Sequence, residues 1–225
     1  MQVSRLGILG GTFDPIHNGH ICIAKAAQEY LQLDRVLLIP NGNPYMKTMT
    51  QSEGNPNPHT VGFNTVYQVT AAAIRLHLTE LAVVNEPLLS VSAIEVNRPG
   101  SSYTYETLRE IGVLFPKAKL FFILGSDAFC SIETWKNAEL IFRNAVLGVF
   151  ARGDEEEGSL DQHIISMKKK YHADIRMIPM EKIDISSRGI RQMLKEGMEV
   201  AKLKTQLPEA VIDYIVDNGL YRGGE

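Results

Sequence analysis

The chain has 225 residues, 44% hydrophobic and 22% charged, with a formal net charge of -3 and a sequence pI of about 6.1. That length buries a full core and favours one domain over two, and the balanced charge excludes a global basic field for a nucleic-acid backbone. With no apolar run near the roughly 18 residues of a membrane span and two isolated cysteines, Cys22 and Cys130, we expect a cytoplasmic protein with neither nucleic acid nor membrane as partner.

A first strand is predicted over 3–9, ending in Gly10-Gly11 and turning at Asp14-Pro15. A helix follows over 19–32, where Ile21, Ile23, Ala24, Ala27 and Leu31 recur at helical spacing. Arg35–Pro40 is a second strand closed by proline, and 41–58, rich in Asn, Pro and Gly, reads as a long loop. The pattern then predicts a helix over 63–83, a weakly alternating strand over 88–96 and a helix over 104–114. Ala118–Leu124 is a strongly apolar strand leading into Gly125-Ser126-Asp127, and a helix over 133–142 precedes a strand at Ala145–Phe150. Arg152–Gly158 reads as a polar connection, while Glu155-Glu156-Glu157 and Lys168-Lys169-Lys170 read as solvated charge. A last strand at Ile175–Ile178 precedes helices over 187–196 and 209–217, the second begun at Pro208 and ended near Gly219.

Alternating strands and helices predict an α/β fold, a Rossmann-like doubly wound parallel sheet over 1–180 with a small C-terminal helical part over 181–225, all in one domain. Ligands of such sheets bind at the carboxyl ends of strands.

Three polar clusters follow predicted strands. In the first, Gly10-Gly11-Thr12-Phe13-Asp14-Pro15-Ile16-His17-Asn18-Gly19-His20, two imidazoles stand three residues apart at a helix start. Free amide N–H groups and the positive helix end favour an anion there, and glycines let a phosphate approach the backbone. A zinc pair is the rival reading of His17 and His20, although His59, His77, His163 and His172 are scattered along the chain. The second cluster is Gly125-Ser126-Asp127, where Asp127 can cap a helix. In the third, Ile185-Ser186-Ser187-Arg188-Gly189-Ile190-Arg191, Ser186 or Ser187 can cap a helix, and Ser187 and Arg191 share a face. A hydroxyl and a guanidinium beside free amides make a second anion cradle; an ordinary cap with a surface arginine is the simpler alternative.

The first cluster together with the late Ile-Ser-Ser-x-x-Ile-Arg resembles the nucleotidylyltransferase superfamily, whose H-x-G-H and S-S-x-x-I-R motifs bind ATP phosphates. Within it the similarity is to bacterial nicotinate-nucleotide adenylyltransferases. It extends through the Pro40–Lys47 loop, Arg75-Leu76, Ser102-Tyr103-Thr104, Gly125-Ser126-Asp127, Trp135-Lys136, Leu207-Pro208 and Asn218-Gly219-Leu220-Tyr221. The resemblance implies ATP and nicotinate mononucleotide as substrates, with Mg²⁺, joined to a dinucleotide with loss of pyrophosphate. It also implies that His17 and His20 contact the ATP phosphates, His20 at the α-phosphate, and that Ser186, Ser187 and Arg191 hold the departing pyrophosphate. Gly10, Gly11, Thr12 and Phe13 would line the phosphates with backbone donors, Lys47 would face a phosphate, and Gly125 and Asp127 would serve the nucleoside. Thr12, Lys47, Tyr103, Thr104 and Trp135 would bind the acceptor, Trp135 by stacking on its ring.

Two departures stand out. The family's Pro-Pro-His-Lys is Pro44-Tyr45-Met46-Lys47 here, so a non-donor thioether replaces a histidine, and His59 is a substitute within reach of sequence; Arg188 stands where a small polar residue is usual. The alternatives are a sister enzyme taking nicotinamide mononucleotide or another phosphorylated acceptor, and a non-catalytic nucleotide-binding protein. The groups that hold the metal are not assigned, and a homo-oligomer is left open.

Overall fold

A computed structural model describes residues 2–43, 69–151, 157–181, 183–197 and 200–222. Among these residues one sheet of six strands runs in the order β3-β2-β1-β4-β5-β6. The strands are β1 (Arg5–Gly11), β2 (Arg35–Pro40), β3 (Leu89–Val91), β4 (Lys119–Gly125), β5 (Val146–Phe150) and β6 (Ile175–Ile178). Every pairing is parallel, so every connection must cross a face of the sheet. The chain starts at the centre, winds outward through β2 and β3, returns to β4 and winds outward the other way. The winding reverses between β1 and β4, and the crevice at that switch point is where such sheets take ligands.

Side chains alternate between the two faces because the strand period is two. Leu9, Val36, Leu38, Phe121 and Ile123 point to one side, where α1 (Asn18–Tyr30), α2 (Ala72–Val83), α7 (Ser187–Lys195), α8 (Val200–Leu203) and α9 (Glu209–Asp217) cover them. Leu6, Ile8, Leu37, Ile39, Leu120, Phe122 and Leu124 point to the other. There they meet α3 (Thr104–Leu114), α4 (Ser126–Cys130), α5 (Ala138–Asn144) and α6 (Glu157–Tyr171). No described helix is long and apolar enough to cross a membrane.

Four expectations need correction. The helix expected over 63–83 begins at Ala72; residues 69–71 are not helical and 63–68 lie outside the described residues. The strand expected over 88–96 is only Leu89–Val91, because β2, its sole neighbour, pairs with just those three residues. The helix expected over 133–142 is divided into a 3-10 turn, Ile132–Thr134, and α5. Asn137 breaks it with a left-handed φ of 53°. The polar connection expected over Arg152–Gly158 gives way at Glu157 to the crossover helix α6 that the parallel β5–β6 pair requires. That helix buries Leu160, Ile164 and Met167, while Lys168-Lys169-Lys170, solvated as expected, form its last turn, where cations complement the helix dipole.

Candidate active site

β1 delivers the chain to the switch point, and the loop from Thr12 to His17 leads into α1. Phe13 is 2% exposed and holds a φ of 49°, a left-handed value that costs a bulky residue about 1–3 kcal/mol. Its buried ring meets the His20 imidazole edge-on at 4.9 Å. His17 occupies the cap position of α1, and its backbone N–H donates to Nδ1 of His20 at 3.2 Å. The two imidazoles stack with centroids 3.7 Å apart. An accepting Nδ1 puts the proton of a neutral His20 on Nε2. Gly19 makes the stack possible: a Cβ there would lie 2.9 Å from His17 Nδ1 and 3.0 Å from Ile183 Cγ2. At Gly10 no atom lies within 4 Å of where a Cβ would be, so the strand end leaves open space beside the backbone.

The third polar cluster sits against this loop. Ser186 is the cap of α7, its Oγ accepting the Gly189 N–H at 3.1 Å. Ser187 Oγ–H donates to the Pro15 carbonyl at 2.8 Å, and Arg191 Nη1 donates to the Asp14 carbonyl at 2.6 Å. Two motifs 172 residues apart in sequence are therefore bonded side chain to backbone. Burial lowers the pKa of the Arg191 guanidinium, with the Asp14 carboxylate opposing the shift.

Asp14 itself is 1% exposed. One carboxylate oxygen accepts the Tyr221 hydroxyl at 2.7 Å and the other the Thr70 N–H at 3.1 Å. Burial first, then Asp14, pushes the Tyr221 phenol well above its ordinary range. Arg75, also 1% exposed, spans the ends of β1 and β2. Its Nε donates to Thr70 O at 2.8 Å, Nη1 to Thr12 O at 2.6 Å and Asn41 Oδ1 at 3.2 Å, and Nη2 to Asn41 O at 2.7 Å and Gly42 O at 3.1 Å. Burial lowers its pKa, and Asp14 and Tyr221 oppose that. The Arg75 and Arg191 guanidiniums thus both feel the Asp14 carboxylate through space.

Beside the loop lies a cavity of about 270 Å³ whose wall includes Gly10, Gly11, Thr12, Asn41, Glu95, Ser102, Tyr103, Thr104, Thr107, Phe122, Trp135 and Lys136. Lys136 Nζ rests 4.0 Å from the centroid of the Tyr103 ring, and the Trp135 and Phe122 rings meet at 6.2 Å. Glu95 is 8% exposed and accepts the Thr107 hydroxyl at 2.6 Å. Burial raises its pKa; the Thr107 and Ser102 hydroxyls and Arg98 work against that rise, and Glu110 adds to it.

The residues expected from sequence fall in three places. Gly10, Gly11, Thr12, Tyr103, Thr104 and Trp135 line the cavity. Phe13, His17, His20, Ser186, Ser187 and Arg191 gather on the adjoining loop and helix start. Gly125 and Asp127 stand at the end of β4, Gly125 two residues beyond the Leu9–Ile123 pair just as Gly11 is on β1, with Asp127 exposed in the first turn of α4. Lys47, like Met46 and His59, lies outside the described residues. Among the described residues no three His, Cys, Asp or Glu side chains gather as a group able to hold a metal ion. Arg75, Asn41, Asp14, Glu95 and Tyr221 join the site although no site role is expected for them from sequence. A lone arginine amid the apolar residues of α2 is the one local signal that would have singled out Arg75.

The family model described as cytidylyltransferase-like matches residues 8–193. A Thermus thermophilus protein named probable nicotinate-nucleotide adenylyltransferase is 39% identical over 220 residues, covering 97% of this chain and 100% of that protein. A protein of the same name from Lachnoclostridium phytofermentans is 33% identical over 217 residues, covering 96% of this chain and 98% of its own. The solved structure of Plasmodium falciparum nicotinic acid mononucleotide adenylyltransferase complexed with NaAD shares the fold, with a TM-score of 0.73 over 97% of each chain at 19% identity.

Proposed function

The chain belongs to the cytidylyltransferase-like family, and from that premise we propose that it transfers the adenylyl group of ATP to nicotinate mononucleotide, giving nicotinate adenine dinucleotide and pyrophosphate in NAD biosynthesis. The observation that carries this reading is the sharing of Gly10, Gly11 and Thr12 between a cavity walled by Trp135 and Tyr103 and the loop that ends in the His17–His20 stack. A flat ring fits the first and a triphosphate the second, so the reacting phosphates meet at the shared backbone. The names of the full-length relatives from Thermus and Lachnoclostridium support the same acceptor.

In the reaction a phosphate oxygen of the acceptor attacks the α-phosphorus of ATP in line, and the bond to the β-phosphate oxygen breaks, releasing pyrophosphate. Such a transfer asks the protein for positioning and for stabilisation of developing charge. His20, with its proton on Nε2, donates at the α-phosphate. His17, the amides of Thr12 and Phe13 and the start of α1 complete that cradle. Ser186, Ser187 and Arg191 at the start of α7 face the β- and γ-phosphates, and the bonds of Ser187 to Pro15 and of Arg191 to Asp14 hold the two cradles in register. Gly125 and Asp127 serve the nucleoside at the end of β4. Trp135 stacks on the acceptor ring, Tyr103 and Thr104 offer its carboxylate backbone donors, and Lys47 supplies a further cation to the phosphates. A divalent cation, Mg²⁺, enters as part of the substrate, carried on the ATP phosphates. That suits a hard cation which prefers phosphate oxygens and water, and it suits Asp14, whose two oxygens are already engaged. We assign the reaction to the cytoplasm, a reading that Cys22 and Cys130, not joined in a disulfide, support.

The test is pyrophosphate release from purified protein with ATP and Mg²⁺, comparing nicotinate and nicotinamide mononucleotides side by side. Faster turnover of the nicotinate acceptor is expected. Faster turnover of the nicotinamide acceptor would reassign the substrate, and tight ATP binding with no release from either would make the protein a nucleotide binder rather than an enzyme.

A further inference from the structure

We propose that Arg75 is a positioning residue for adenylyl transfer: its guanidinium fixes the distance between the phosphate loop leaving β1 and the acceptor wall leaving β2. The inference rests on the function proposed above and extends it to a residue outside both phosphate motifs.

A guanidinium has five N–H donors, and Arg75 directs all five to oxygens of the chain. One bond goes to Thr12, on the loop that passes to His17 and His20. Three go to Asn41 and Gly42, the first residues beyond β2. The fifth goes to Thr70, whose own N–H holds Asp14. Thr12 and Asn41 both line the acceptor cavity, so the planar fork bridges the two walls between which the acceptor phosphate must reach the α-phosphorus. Asn41 reinforces the bridge, its Nδ2 lying 3.5 Å from Thr12 Oγ1.

None of the five acceptors is a carboxylate. The Asp14 carboxylate acts on the guanidinium through space without bonding to it; a buried charge so placed is weak evidence for stability, and five directed bonds point to geometry as its use. The fork is rigid, and every acceptor but one is backbone, so Arg75 sets main-chain position directly. A lysine keeps the charge but offers three donors on a flexible stem, and at least two of these oxygens would lose their partner. A misplacement of about 1 Å between reacting groups costs on the order of 100-fold in rate.

The experiment compares wild type, Arg75→Lys and Arg75→Ala for pyrophosphate release, with folded fraction measured by circular dichroism on the same samples. The expected result is a fall in kcat of about 100-fold per folded molecule in Arg75→Lys, with the KM values for ATP and acceptor little changed. Guanidinium ion at sub-denaturing concentration restores part of the kcat of Arg75→Ala, and ammonium at equal ionic strength does not. A wild-type kcat in folded Arg75→Lys, or activity losses that only track the folded fraction, would overturn the proposal. Should both variants fail to fold, Asn41→Ala decides. A several-fold loss of kcat at unchanged KM supports the bridge, and an unchanged kcat refutes it, whether or not the acceptor KM rises. A wild type that releases no pyrophosphate would overturn the function itself. An active wild type matched by Arg75→Lys would overturn only the role of Arg75.

Discussion

Replacing Tyr221 by Phe removes one oxygen and nothing else, which makes it a clean probe of the contact between the C-terminal segment and the first motif. The main bond lost is the 2.7 Å donation from the phenol to Asp14, a carboxylate 1% exposed; a side-chain contact with Thr70 goes with it. Hydrogen bonds to charged groups contribute about 1.5–3 kcal/mol. Phe keeps the ring volume, so no cavity term is added. Asp14 also retains the Thr70 N–H and the two nearby guanidiniums, which puts the expected loss near the middle of that range, about 2 kcal/mol. For a chain of 225 residues each kcal/mol moves the melting temperature by about 2–4 °C. Tyr221→Phe should therefore melt about 4–8 °C below wild type at pH 7. The pH dependence has a fixed sign. The folded Tyr221 pKa is raised, so its contribution is fully present below the unfolded value of about 10 and is lost as pH rises beyond it. The gap between wild type and variant should thus narrow above about pH 10. Thermal melts of both proteins from neutral to alkaline pH measure it. Equal melting temperatures at pH 7, or a gap that widens in base, would show that the phenol does not stabilise the fold through Asp14.

His20→Ala removes the donor assigned to the α-phosphate and should cut pyrophosphate release by about 10²–10³-fold with an unchanged circular dichroism spectrum; near-normal turnover would show that His20 has another role. Gly42→Ala places a Cβ that overlaps the backbone carbonyl of Glu95. Backbone cannot rotate away, so a destabilisation of about 1–3 kcal/mol in urea melts and a raised KM for the acceptor, more than for ATP, are expected. Glu95→Gln tests the buried carboxyl in the cavity wall. Burial raises its pKa, so its contribution to stability is present below about pH 4.3 and lost as pH climbs. Wild type should lose stability relative to Glu95→Gln across that rise, and melts of the pair between pH 4 and 7 would show a constant difference if the carboxyl titrated normally.

The parts of the fold that were legible in sequence are those whose pattern is local. The apolar runs of β1, β2, β4 and β5 are buried on both faces and read as near-continuous hydrophobic stretches, as parallel strands must. The two polar clusters at 10–20 and 185–191 were legible because glycines, caps and basic groups gather at fixed offsets. α6 was not, since Leu160, Ile164 and Met167, buried among its described residues, stand amid charged neighbours that mask their spacing. The topology supplied what the pattern hid, because β5 and β6 are parallel and need a crossover. β3 was overextended for the opposite reason: alternation continues past Val91, but only three residues have a partner strand. The supporting shell was invisible for a deeper reason. Arg75 reaches Thr12, Asn41 and Thr70 across as many as 63 residues, and Tyr221 reaches Asp14 across 207. Such contacts arise only when the sheet brings separate strand ends together, and no spacing rule encodes them.

A crystal structure of the protein with a nonhydrolysable ATP analogue and Mg²⁺ would locate the triphosphate against the two motifs. The α-phosphate is expected within hydrogen-bond distance of His20 Nε2, and the β- and γ-phosphates against the first turn of α7 beside Ser187 and Arg191. A triphosphate bound away from both segments, with the His17–His20 stack untouched, would contradict it.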